Sequence, residues 1–66
     1  MSIIKVIEVI ASSENGFDEA VRNAVQEAAK TVNNIESVYV KEMNAKVENG
    51  TIVSYGVNAK VSFVIA

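Results

Sequence analysis

From Thr51 onward the chain alternates between apolar and polar positions. Val53, Tyr55, Val57, Ala59, Val61, Phe63 and Ile65 take the odd positions; Ser54, Gly56, Asn58, Lys60, Ser62 and Val64 take the even ones. A period of two with one apolar face marks a β-strand. Ile35 to Glu48 reads as a second strand of the same reach. Asn49-Gly50 between them is the dipeptide that a two-residue type I′ hairpin favours, because both turn residues need positive φ. Placing those two residues at the turn sets an expected register. Glu48 faces Thr51, Met43 faces Gly56, Tyr39 faces Lys60 and Ser37 faces Ser62. One face of the hairpin then carries Val38, Val40, Val53, Val57, Ala59, Val61 and Phe63 and should cover a helix. The other carries Ser37, Tyr39, Lys41, Met43, Ala45, Ser54, Gly56, Asn58, Lys60 and Ser62.

Upstream, residues 3–11 are rich in β-branched side chains and read as a further strand. Ile4, Val6 and Ile10 point one way; Ile3, Ile7 and Val9 point the other. Only Lys5 and Glu8 interrupt, so an internal strand covered on both faces is expected. The pattern then changes period. Phe17, Ala20, Val21, Ala24, Val25, Ala28 and Val32 recur at helical spacing, which predicts an amphipathic helix of about four turns. Asn15 is the expected N-cap, with Ser13 the alternative, and Asp18 to Arg22 is a favourable i,i+4 pair. The result is an α+β chain of order β-α-β-β: a three-stranded antiparallel sheet on one helix, in one domain over residues 1–66.

The lengths do not match. A 14-residue strand runs about 45 Å, whereas a helix of about 16 residues covers about 24 Å. The hairpin must overhang its helix. A chain of 66 residues also buries a small core, and this one has no Cys for a disulfide and no His for a metal. Yet 50% of its residues are hydrophobic. Oligomerisation is the remaining support, and a closed assembly would also hide the sheet edges.

Charge narrows the partners. Net charge is −2 and the six basic residues are scattered, which argues against nucleic acid. No apolar run approaches the roughly 20 residues that span a bilayer. The opening residues place no basic stretch before their apolar run, so a cytoplasmic protein is expected. Without His or Cys no ordinary nucleophile–base–orienter set can be assembled, and the chain reads as non-enzymatic.

Three blocks carry a family resemblance: "KVIEVIASSENGFDEAVRNAV", "NIESVYVKE" and "SYGVNAKVSF". Their order and spacing across the whole chain resemble the dodecins. The resemblance implies a hollow homododecamer that binds or stores flavin (FMN, riboflavin or FAD) without turnover. In flavin-binding members a Trp of the second strand stacks on the ring and a Gln of the third strand hydrogen-bonds it. The matching positions here are Ser37 and Gly56. Ser cannot stack, and Gly56 has no side-chain donor or acceptor. Tyr39, two residues from Ser37 on the same face, could stack instead; an interface Tyr paired with Lys60 is its blander role. The candidate binding positions are therefore Ser37, Tyr39 and Gly56.

The dodecin-like group also includes calcium-binding members without the Trp, so calcium is the second ligand the resemblance implies. Glu36, Glu42 and Glu48 could meet around such a cation in an assembly, since Ca²⁺ takes oxygen ligands. Solvated charges are the plainer reading of all three, and the metal ligands stay unassigned. Glu8, inside an apolar strand, is expected to be a buried charge in an ion pair with a neighbouring Lys. Met43 is expected to fill a gap at a subunit contact.

Overall fold

The structure is a computed structural model that describes residues 3–65; Met1, Ser2 and Ala66 lie outside the described residues. Its elements follow the expected order: β1 (Ile4–Ser13), α1 (Phe17–Ala29), β2 (Ile35–Glu48) and β3 (Thr51–Val64). The sheet is antiparallel in the order β1-β3-β2. No helix among the described residues is long and apolar enough to cross a membrane.

The turn forms as its dipeptide dictates. Asn49 has φ 53° and Gly50 φ 75°, the left-handed pair that lets a two-residue loop match the twist of its strands. The register expected from it holds for Glu48 with Thr51, Tyr39 with Lys60 and Ser37 with Ser62. It fails in between. Val47 pairs with Ile52 but Lys46 with Ser54, leaving Val53 as an extra residue in β3. Val40 pairs with Ala59 but Glu42 with Asn58, leaving Lys41 as an extra residue in β2 and restoring the original register. A third irregularity skips Glu36.

These irregularities redistribute the faces, because directly opposed residues share a side of the sheet. Met43 pairs with Val57 and Ala45 with Tyr55, which puts both on the helix side rather than the polar side expected for them. Glu42 and Asn44 take their places on the polar side, opposite Asn58 and Gly56.

β3 is the central strand, and this corrects the expectation for β1. Residues of β1 pair only with β3, so within the chain β1 is an edge. Ile7, Val9 and Ala11 are half-buried towards the helix, while Ile4, Val6, Glu8 and Ile10 on the other side are exposed. The strand is apolar on both faces, but its own chain covers only one.

The helix start also differs. Gly16, extended at φ 168°, occupies the N-cap position without a side-chain cap. Asn15 instead donates its amide to the Glu19 carboxylate, and its backbone N–H to the Ser13 hydroxyl. Asp18 and Glu19 in the first turn face the positive end of the helix dipole. Ala20, Ala24 and Ala28 form the buried stripe of α1. They meet a core of Val57, Ala59, Val61 and Phe63, all from β3. The Phe17 and Tyr55 rings close one end edge-to-face, with centroids 5.0 Å apart. α1 packs chiefly on β1 and β3 and hardly reaches β2. The molecule extends 52 × 19 × 14 Å, and the 13-residue helix covers about 20 Å of that length. Towards the turn Met43, Val47, Ile52 and Val53 stay exposed, as the length mismatch requires.

Candidate functional site on the open face of the sheet

The face of the sheet away from α1 is built from the even positions of β1 and β3 and from Ser37, Tyr39, Glu42, Asn44 and Lys46 of β2. No other element of the described residues covers it. Pairing orders it into rows across the three strands: Val6–Ser62–Ser37, Glu8–Lys60–Tyr39, Ile10–Asn58–Glu42 and Ser12–Gly56–Asn44.

All three candidate residues lie on this face. Ser37 is exposed beside Ser62, and Tyr39 is 66% exposed beside Lys60. Its ring is free of intrachain aromatic partners among the described residues, the one ring pair being Phe17–Tyr55 on the other side. Gly56 pairs with Asn44, and a Cβ built on it would stand 2.9 Å from Asn44 Oδ1. The Asn44 side chain therefore crosses the space above Gly56. Reading the pattern alone paired Gly56 with Met43 and missed this amide. The compensating irregularities at Lys41 and Val53 hid it, since neither residue type announces an extra position.

The three residues are not brought together. Ser37 and Tyr39 are neighbours, but Ser62, the partner of Ser37, is six positions along β3 from Gly56. At ~3.3 Å per residue that is roughly 20 Å. A single ring system therefore does not touch both ends within one chain.

The charges on this face are partly paired. Glu8 is half-exposed and not buried as expected; its carboxylate meets Lys41 Nζ at 3.6 Å. The pair spans β3, and Glu8 bonds Lys41 although Lys60 is its cross-strand neighbour. Asn58 Oδ1 is buried there without a hydrogen-bond partner. Glu36, Glu42 and Glu48 are all exposed. Among the described residues no three acidic side chains gather closely enough to hold a metal ion.

The family model described as Dodecin matches residues 3–66. A protein of Mycobacterium tuberculosis, calcium dodecin, is 33% identical over 63 residues, covering 96% of this chain and 89% of that protein. Among solved structures, dodecin from Streptomyces davaonensis superposes with a TM-score of 0.91 at 28% identity, covering 98% of this chain and 96% of the other. The crystal structure of the Mycobacterium tuberculosis calcium dodecin, described as calcium-chelating with a novel calcium-binding site, gives a TM-score of 0.83 at 31% identity, covering 98% and 93%.

Proposed function

The chain belongs to the dodecin family, and on that premise we propose that it is a non-enzymatic binding protein that sequesters a planar small molecule, nominally a flavin, inside a closed homododecameric shell. The observation that carries this is Tyr39, 66% exposed on an uncovered face, with Lys60 as its cross-strand partner and the Ser37–Ser62 pair in the next row. Such a ring offers a stacking surface worth about 1–3 kcal/mol to a planar ligand. The residues present fit a flavin in kind, although Ser37 and Gly56 cannot serve as a stacking ring and a carboxamide. Tyr39 supplies the ring, and the Asn44 amide above Gly56 supplies the hydrogen-bonding group. Because Ser37 and Gly56 sit roughly 20 Å apart on one chain, a ligand contacting both regions would lie between copies. That accords with a site completed by assembly.

Native mass spectrometry with added FMN tests this. A twelve-subunit mass that increases by flavin units, with quenched flavin fluorescence, is the expected result. A twelve-subunit mass unmoved by flavin would retire the ligand and keep the shell; a monomer would end both.

A second reading, calcium binding, is favoured by the 33% identical relative named calcium dodecin. With no three-carboxylate group among the described residues, the ion would draw oxygens from more than one copy, with Glu36, Glu42 and Glu48 on β2 as its candidates. A ligand that binds only the native assembly raises its melting temperature by mass action. Calcium should then raise it and a chelator should reverse the effect; no shift at millimolar calcium would exclude this reading.

A further inference from the structure

We propose that Asn49–Gly50 is a site of spontaneous covalent modification, where fraying of the hairpin tip lets the turn convert to aspartyl and isoaspartyl forms. The chain carries one tripeptide twice, as Glu14-Asn15-Gly16 and as Glu48-Asn49-Gly50. A glycine after asparagine has no Cβ to keep its backbone nitrogen from the asparagine side chain. Every other asparagine in the chain precedes a residue that has one. The two sites thus share their intrinsic chemistry, and only the fold separates them.

Asn15 is held. Its side-chain amide donates to both Glu19 carboxylate oxygens at 3.0 Å, and its backbone N–H donates to the Ser13 hydroxyl at 2.9 Å. Ser13 is buried and pairs with Tyr55, so freeing this site means releasing the start of α1 from the sheet. A Cβ built on Gly16 would stand 2.9 Å from Asp18 Oδ1, which sets a second carboxylate against that glycine. Around Gly50 the same added atom meets nothing within 4 Å. Lys46 to Val53 are all exposed. The extra residue Val53 separates the last two pairs, Val47–Ile52 and Glu48–Thr51, from the rest of the ladder. In the closed turn Asn49 is left-handed, with φ 53°. At the ψ of about +47° typical of that region, the Gly50 nitrogen points away from the Asn49 side chain. Reaction therefore waits for the tip to open, and exposed ends with few packed neighbours open at least cost.

In the opened tip the Gly50 amide gives its proton to solvent, and its nitrogen bonds to Asn49 Cγ. The side-chain nitrogen takes up a proton and leaves as ammonia. Water then cleaves the resulting succinimide at either carbonyl. Cleavage at Cγ leaves an aspartate, which the type I′ turn also accepts. Cleavage at the backbone carbonyl routes the chain through Cβ and Cγ, an extra backbone atom for which a two-residue loop has no place. Either product adds one negative charge per copy.

The test ages the assembled protein at mildly alkaline pH, in buffer and in urea. Mass spectrometry with fragmentation then follows the peptides spanning residues 6–22 and 47–60. In buffer Asn49 should convert about tenfold or more faster than Asn15, because the two openings differ in cost. In urea the two rates should converge. Glu19→Ala should speed conversion of Asn15 and leave Asn49 unchanged. Equal rates in buffer, or a faster Asn15, would overturn the proposal. Conversion of both sites in urea and of neither in buffer would mean that the assembly clamps the tip, and would overturn it too. A Glu19→Ala protein whose Asn15 stays protected would overturn the role given to Glu19. If that variant does not assemble, the comparison of buffer with urea in the unaltered protein still decides.

Discussion

Gly56 and Gly50 show how differently one missing Cβ can matter. At Gly56 an added Cβ would meet only Asn44 Oδ1, at 2.9 Å, the far end of a side chain that can swing aside. Ala also recovers roughly 0.5–1 kcal/mol of the backbone entropy that Gly costs in a strand. At Gly50 space is open but φ is +75°, which costs an L-residue roughly 1–2 kcal/mol. Gly50→Ala should therefore destabilise by about that amount, and Gly56→Ala should stay within about 1 kcal/mol of neutral. Urea unfolding at matched protein concentration compares them. Equal losses would mean that Asn44 is locked over Gly56. Asp18 carries a titration effect. Its side-chain hydrogen bond from Arg22, then a backbone bond and the Arg22 charge, hold its carboxyl below the ordinary 3.8. A depressed folded value contributes stability that is present above the unfolded value and lost as pH falls through the folded one. Both side chains are largely exposed, so the contribution is small and screened by salt. Asp18→Asn should therefore cost a little stability above about pH 4, where the carboxylate is charged, and nothing once pH has fallen below the folded value, which flattens the acid limb of its stability–pH curve; a loss that persists at low pH would mean that the side chain acts by something other than this pair.

The elements were legible in the sequence to different degrees, for physical reasons. β2 was read to both its ends because a period of two and a paired turn leave little freedom. The helix body was legible from its Ala and Val stripe. Its start was not, because Gly16 takes the cap position through backbone conformation, which no side-chain preference reports. Tyr39 and Ser37 were placed on the correct face because their register survives, while Gly56 was matched to the wrong partner because two extra residues cancel over a short stretch. The role of β1 was misread because a strand apolar on both sides looks the same whether its second cover comes from its own chain or from another copy. Contact between α1 and the sheet depends on small residues. Ala24 and Ala59 are both fully buried, so Ala24→Leu has no space to enter. A loss of about 1–3 kcal/mol or more is expected from overpacking, against less than about 1 kcal/mol for Ala24→Ser if its hydroxyl reaches a backbone carbonyl of the preceding turn. A neutral Ala24→Leu in thermal unfolding would show that the helix sits further from the sheet than described.

At the scale of the whole molecule, apolar surface has nowhere to go within one chain. Ile4, Val6 and Ile10 on β1, at 51%, 54% and 81% exposed, lie along one uncovered side, and Val47 and Ile52 lie near the turn. A monomer would carry all of this into water. Ile10→Glu places a charge in the most exposed of these positions, and sedimentation should show a smaller species or free chains. An unchanged sedimentation coefficient would place Ile10 outside any subunit contact. The strand order has a further consequence, which concerns time. β1 and β2 never pair with each other; each pairs only with β3. During synthesis, then, the first two strands emerge with no partner, and not one hydrogen bond of the sheet can form until residues 51–64 begin to leave the ribosome. The two-residue turn makes β2–β3 the local, fast pairing and β1–β3 the distant, slow one. Pulse-labelled hydrogen exchange on refolding chains should protect hairpin amides before those of β1; simultaneous protection would mean a single concerted step. Until that last strand arrives, the apolar first strand is the segment a nascent chain most needs to keep from other copies.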